Sequence, residues 1–469
     1  MTQTWLDTFD WRLHATGITL EYVDQGPLTG HFPDGAQLHG ALPQRTWPVQ
    51  VEDLPAGPLR DALAPIIVPR ALLQVVTVHR TSREGRILNA DEKTVARLVM
   101  ESDEHGTTRL LVLPLRGYAP QAEWIAVRLA GTDGFTAITT TPYAEALASA
   151  SRHPDNYDKS PTVPLHPDTP AAVAIATVLQ HFQTAITDNL AGTIDDLDIE
   201  FLHDLRVAVR RTRSILKLTG EVLPADTAVR FAPEFKWLGD LTTPVRDLDV
   251  YLLGFDAMVS GLASAEPAEL EEFRSFLLQE RKVERRSLVR GLQSRRFLRL
   301  MDEWSVALAE AADSSAVGAG GLTIAGLARQ RVGRVLKRVA RQGEHITNDS
   351  PGEQVHELRK RCKELRYLLE VFRPLCAVAP HRALVKHLKA VQDTLGDFQD
   401  GEVQRNAVRQ FAATMMNAGV ASSETLLAMG ELAAQLDAQQ SRARELLPDR
   451  LLPFVAEAHQ TRVKTLVLR

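Results

Sequence analysis

Two segments of this chain, FLHDLRVAVRRTRSILKL (201–218) and VHELRKRCKELRYLLEVF (355–372), share one layout. At about 100° per residue, His203, Arg206, Arg210 and Arg213 fall on a single helix stripe roughly 80° wide. His356, Arg359, Lys363 and Arg366 repeat the same offsets of zero, three, seven and ten. Leu205 and Leu216 match Leu358 and Leu369. Downstream, Lys236, Asp240 and Asp247 match Lys389, Asp393 and Asp400, and every match is 153 residues apart. The spacing predicts an internal duplication, about 199–260 and 352–417, and hence an all-α bundle with a pseudo-two-fold axis.

The stripes are electrostatically uncomfortable. Cations three or four residues apart on a helix repel by roughly 0.2–0.5 kcal/mol per pair. Asp204 lies off the first stripe, and on the second only Arg366 has an acid four residues on, Glu370. Off the second stripe, Glu357/Arg361 and Lys360/Glu364 are stabilising i,i+4 pairs. Each stripe therefore calls for an anion, or for acids brought from other helices.

Proline divides the chain. Sixteen of the 25 prolines lie in residues 1–170, where short β-type runs alternate with turns: 17–23, 71–79, 94–100 and 108–115, with a helix at 119–130. This reads as an α+β domain with an antiparallel sheet over 1–152. The proline-rich polar stretch 153–170 reads as a linker, Thr169-Pro170 serving as cap and first turn of the next helix. From 171 to 469 the period is helical: 171–192, 199–221, 226–260, 267–292, 295–313, 322–343, 352–373, 381–417, 423–445 and 449–465. Short loops between long helices predict packed antiparallel hairpins.

Charge excludes a general polyanion magnet. The net is −5 overall, with 14 Lys+Arg against 20 Asp+Glu in 1–170, so any anion site must come from local segregation. The two cysteines, Cys362 and Cys376, form neither a disulfide framework nor a metal spacing. No apolar run approaches the ~20 residues needed to span a bilayer. The N-terminus lacks a basic region followed by an apolar one, so a soluble cytoplasmic protein is expected. Two more basic helices lie between the repeats, 281–299 and 329–342, the latter with Arg334, Lys337 and Arg338 beside an apolar face of Val332, Val335, Leu336 and Val339. Asp240, Asp247, Asp249, Asp393, Asp397 and Asp400 are read as orienting the arginines by ion pairing. Trp237, Phe235, Tyr367 and Phe372 are read as core. They do not interleave with the cations as base-stacking platforms would.

These residues resemble the CHAD domain, the conserved-histidine α-helical domain. Its two segments run His-x-x-Arg-x-x-x-Arg/Lys-x-x-Arg, followed by Leu-Gly-x-x-x-Asp. The resemblance spans about 171–469 and implies two four-helix units around a basic groove that binds inorganic polyphosphate. Carried over, the groove holds His203, Arg206, Arg210, Arg213, His356, Arg359, Lys363 and Arg366, with Lys217, Lys236 and Lys389 flanking. Arg334, Lys337 and Arg338 are further candidates. Gly396 keeps the glycine of Leu-Gly, whereas Thr243 stands at the equivalent place in the first repeat, which leaves the contacts near Arg246 open.

Residues 4–23 and 76–101 resemble, more faintly, the CYTH domain of the triphosphate-tunnel enzymes. The opening Glu-x-Glu-x-Lys strand is absent, and Leu20-Glu21-Tyr22-Val23 stands where that family has Leu-Arg-x-Arg. A tunnel that hydrolyses triphosphate needs paired carboxylates for Mg²⁺ and several cations for the phosphates, so the resemblance implies a degenerate, non-catalytic tunnel fold.

The expected function is polyphosphate binding without turnover, with no cofactor and no metal. Polyphosphate granules and polyphosphate-metabolising enzymes are the further candidate partners, and no membrane is expected. Two other readings compete: a Mg²⁺-dependent triphosphatase in the N-terminal half, and a nucleic-acid-binding module, which the near-neutral helical half disfavours.

Overall fold

The computed structural model describes residues 1–24, 26–43, 47–104, 106, 108–154, 157, 163–313 and 321–467. The chain falls into two compact units, Met1–Lys159 and Ser160–Arg469.

The first unit is a seven-stranded antiparallel sheet in the order β4-β3-β2-β1-β5-β6-β7. The strands are β1 (Thr2–Asp7), β2 (Thr19–Val23), β3 (Leu28–His31), β4 (Gln37–Gly40), β5 (Leu73–Leu88), β6 (Thr94–Asp103) and β7 (Thr108–Pro114). Its helices are α1 (Arg12–Ala15), α2 (Pro58–Ile67), α3 (Ala119–Ala130) and α4 (Pro142–Ser149). Central β1 pairs Thr4 with Tyr22 and Trp5 with Val76. It is buried on both faces. Leu6 packs with Leu20, Leu59 and Leu63 on the α2 side, and Trp5 with Val76, Val78, Tyr143 and Leu147 on the α4 side. A strand covered on both faces shows no polar alternation, which is why Thr2–Asp7 is invisible to a period-two search.

The second unit is helical: α5 (Ala171–Asp188), α6 (Leu190–Asp195), α7 (Ile199–Thr219), α8 (Thr227–Leu253), α9 (Phe255–Ser260), α10 (Glu271–Leu292), α11 (Arg295–Asp313), α12 (Ile324–Gly343), α13 (Gly352–Val371), α14 (Val378–Ala418), α15 (Ser423–Gln460) and α16 (Val463–Leu466). The 153-residue offset reaches further back than the sequence reading placed it, since α5 starts at 171 and α12 at 324. Ala171 N–H donates to Leu322 O (2.9 Å) and Ile324 N–H to Thr169 O (2.8 Å). The offset exchanges these two bonds, so the pseudo-two-fold passes between Pro170 and Thr323, which form an isolated antiparallel bridge.

Four expectations need correction. Pro170 is the N-cap of α5, extended at ψ 133°, and not its first turn. Val163 and Leu165, in the stretch read as linker, are buried in the helical core; residues 155–156 and 158–162 of that stretch lie outside the described residues. The helix expected at 226–260 breaks at Gly254, while those expected at 423–445 and 449–465 are one, α15, with Pro448 inside it. The offset explains that last difference. Between α10 and α11, Ser294 Oγ accepts from Phe297 N–H and starts a new helix. The equivalent residue of α15 is Leu447, which has no capping oxygen and is buried in the core.

Candidate functional site

A cavity of about 750 Å³ opens between α7, α8, α10, α13 and α14. Five pairs of its lining residues stand 153 apart: Arg206/Arg359, Arg246/Gln399, Asp247/Asp400, Val250/Val403 and Tyr251/Gln404. The pseudo-two-fold therefore runs through it.

Of the residues singled out in the sequence, His203, Arg206, Arg210, Arg213 and Arg359 line this cavity. Arg206 is held hardest: its Nη1 donates to Gly239 O (3.2 Å), Thr242 Oγ1 (2.8 Å) and Thr243 Oγ1 (3.0 Å). Thr243, the departure from the family's glycine, is thus an acceptor that fixes an arginine. In the other repeat, where Gly396 offers none, Arg359 donates to Asp400 at 3.0 Å. Burial, then Arg210, Arg246 and Arg213, pull the Arg206 guanidinium down, and Asp247 opposes them. Arg213 lies against Gly239, where a Cβ would come 2.7 Å from its Nη1.

His356 Nδ1 lies 2.6 Å from Gln399 Oε1 and donates to it, which orients the ring beside the cavity. Lys363 is half-buried, and among the described residues it has no hydrogen-bond or ion-pair partner. Burial, then Arg359 and Arg210, push its amine down to about 8, with Asp400 opposing. Arg210 and Arg213 are exposed, and among the described residues neither makes an ion pair, although Arg213 lies near enough to Asp240 to help Lys236 hold its carboxyl low. The Arg210 guanidinium sits 5.8 Å over the ring of Tyr367, which is buried but not purely core.

His356, Lys363 and the remaining candidates do not line the cavity. Arg366 pairs with Glu370 (2.7 Å) and Lys236 with Asp240 (2.7 Å). Lys217 pairs with Glu364 across the repeats (2.7 Å). Lys389 is exposed, and Arg334, Lys337 and Arg338 stand on the outer face of α12, none of whose residues reaches the cavity. Asp249 serves Arg281 of α10 at 2.6 Å and not a stripe arginine. Trp237 is only partly buried, with Arg296 stacked 4.3 Å over it.

Along α8 the cavity changes character. Gly239, Thr242 and Thr243 face the arginines. Asp247, Val250 and Tyr251 follow one to three turns later, within about 18 Å of helix. At that end α10 adds Glu280 and Glu284, half-buried and without an ion pair among the described residues. Sequence reading missed this acidic end, although the offset pairs Val250/Val403 and Tyr251/Gln404 were present in the repeat. Among the described residues no three His, Cys, Asp or Glu side chains converge as metal ligands.

In the N-terminal unit, buried Arg109 pairs with Glu145 of α4 at 2.6 Å. Buried Arg80 donates to Gln3 (2.9 Å) and Glu101 (3.4 Å). Protein acceptors hold both arginines.

Residues 177–409 match the CHAD domain family model. A crystal structure of the CHAD domain from the plant Ricinus communis is 26% identical, with a TM-score of 0.54 over 66% of this chain and 98% of that one. PptA from Streptomyces chartreusis is 18% identical, with a TM-score of 0.45 over 62% of this chain and 100% of that one. Among curated proteins, the uncharacterized protein Rv2226 of Mycobacterium tuberculosis (strain H37Rv) is 26% identical over 264 residues, 55% of this chain and 49% of its own length. The uncharacterized protein MT2285 of strain CDC 1551 matches to the same extent. The chain spans about half the length of these relatives. The duplicated stripes and the pseudo-two-fold cavity agree with the family match over 177–409 and with the plant structure: the helical unit of this chain contains a CHAD domain.

Proposed function

We propose that the helical unit binds inorganic polyphosphate in the arginine half of this cavity, without turnover. The carrying observation is the cluster of Arg210, Arg213 and Lys363: three cations from the two repeats, none in an ion pair among the described residues, with burial first, and then Arg359 and Arg210, pushing Lys363 down to about 8. A flexible polyanion relieves that repulsion. Arg206 and Arg359, held by threonines and by Asp400, present guanidinium groups at low ordering cost. Charge-assisted hydrogen bonds and counterion release supply the affinity. Aromatic rings are sparse on the cation wall, and Tyr367 lies beneath Arg210, so bases find no stacking platform.

The test is titration of long-chain polyphosphate at near-physiological salt with duplex DNA as competitor, for the wild type and Arg210→Ala/Lys363→Ala. Binding that DNA does not displace and that the double variant loses supports the reading. Binding to neither polymer overturns it, and phosphate release in the presence of Mg²⁺ would overturn the absence of turnover.

A further inference from the structure

The stripe cations obey the repeat: Arg206/Arg359, Arg210/Lys363 and Arg213/Arg366 are mates at 153 residues, and four of the six line the cavity. A second set of cations does not. Arg334, Lys337 and Arg338 of α12 are exposed, and their mates on α5 are His181, Thr184 and Ala185. Beside them lies α16, whose Val463 sits over Gly333, where an added Cβ would come 3.4 Å from a Val463 methyl. That contact puts exposed Arg462 and Lys464 next to the α12 row; their mates are Ala309 and Ala311. None of the five makes an ion pair among the described residues, and none lines the cavity.

The row is built to stay charged. The inner face of α12 is fully committed, with Val332, Val335, Leu336 and Val339 buried against the core. Residues 324–343 carry no acid. Arg331, one turn from Arg334, is half-buried and pairs with Glu221, which leaves the outer cations unanswered. Neither α12 nor α16 has an aromatic residue, so the row offers nothing for bases to stack on. Neither exposes a large apolar side chain, so it offers nothing for a lipid interior. A row of cations with neither stacking nor apolar surface suits a ligand held by its charge alone, and a polymer of phosphates is such a ligand.

We propose that α12 and α16 form a second polyphosphate-binding surface, separate from the cavity, so that one protein holds two segments of polymer and links chains together. This rests on the polyphosphate reading of the cavity and adds a site to it. Asymmetry between the repeats is the reason to expect independence: the cavity depends on both repeats meeting, whereas this row belongs to one repeat alone.

The experiment is calorimetric titration with short-chain polyphosphate, paired with light scattering on long chains. Four proteins are compared: the wild type, Arg210→Ala/Lys363→Ala, Arg334→Gln/Lys337→Gln/Arg338→Gln/Lys464→Gln, and the two sets combined. All substituted surface residues of the second set are exposed, and equal thermal midpoints show that each variant folds. Expected is two short chains per wild-type protein, one for each partial variant and none for the combination. Long-chain scattering should be lost in both partial variants. One chain per wild-type protein, unchanged by the four-residue variant and lost in the cavity variant, overturns this proposal and leaves the cavity reading standing. No binding to the wild type overturns both.

Discussion

Lys217 Nζ lies 2.7 Å from Glu364 Oε1, and the repeat turns this contact into that of Arg211 with Glu370, 3.2 Å apart. In both pairs the first repeat supplies the cation and the second the anion. Two identical copies of either repeat would set like charges against each other at this crossing. The junction thereby specifies unlike repeats, as charge patterns do at other paired helices, and it joins α7 to α13 where Arg210 and Lys363 come close enough to repel.

Glu364 is buried and also accepts from Arg361 at 2.8 Å, so Glu364→Ala strands two cations. The expected loss is about 2–4 kcal/mol, against less than about 1 kcal/mol for Lys217→Met, whose amine is exposed. Urea unfolding of the two variants checks the contrast. Equal losses would mean the pair does not hold the crossing.

Lys363 gives the site a pH dependence of known sign. Its amine is at about 8 in the fold against an ordinary 10.5. Between those values the folded state binds fewer protons than the unfolded one, so stability rises with pH across that window. A bound polyanion favours the ammonium, and binding therefore takes up a proton. Affinity should fall as pH climbs above 8, by up to about tenfold per unit for one coupled proton. Lys363→Arg, charged throughout, should flatten the profile, and titration in buffers of different ionisation enthalpy should detect the proton uptake.

If polyphosphate fills the arginine half of the cavity as proposed, Glu280 and Glu284 at the acidic end bound its path. Glu280→Gln/Glu284→Gln should raise polyphosphate affinity by a few-fold at low salt, on the order of 1 kcal/mol from removing two like charges, and the gain should shrink as salt screens it. An unchanged affinity would mean that the chain stops short of them.

Thr243→Ala removes one of the three acceptors of Arg206. A loss of about 0.5–1.5 kcal/mol in stability is expected, with weaker polyphosphate binding than wild type but stronger than Arg210→Ala. Melting curves and titration of the same sample separate the two effects.

In the N-terminal unit, Glu145→Ala leaves Arg109, buried and already with an unpartnered Nε, without its acid. About 1–3 kcal/mol of local stability should go, read by hydrogen exchange over β7 and α4. The Arg109 hydrogen bond, with burial opposing it, holds the Glu145 carboxyl below its ordinary value. Its stabilisation is therefore present above that ordinary value and lost as pH falls through the lower, folded one.

Long helices with a single apolar face were legible because period alone reports them: α7, α10 and α13 begin and end within a few residues of their sequence bounds. Elements buried on two faces, such as β1, and breaks that depend on one capping oxygen, such as Ser294 against Leu447, were not. Their signal lies in what surrounds them. The stripe arginines were legible for a related reason. Like charge at helical spacing costs free energy until something relieves it, so it points to a partner off the stripe, as Asp400 is for Arg359 and Glu370 for Arg366.

The chain's order of residues was enough to establish the duplication, its 153-residue offset and the identity of the cations that face each other. Charge and period are local quantities, carried by neighbours three, four and seven residues apart. Which of those cations share one cavity was decided only by tertiary packing. Arg206, Arg210, Arg213 and Arg359 line it, Lys217 and Arg366 are drawn into ion pairs, and Arg334, Lys337 and Arg338 are left on a separate face. The acidic end came with Glu280 and Glu284 of α10, well beyond the α8 wall along the chain. A side chain's partner is set by distance in space, and a helical bundle brings together residues whose separation along the chain says nothing of that distance.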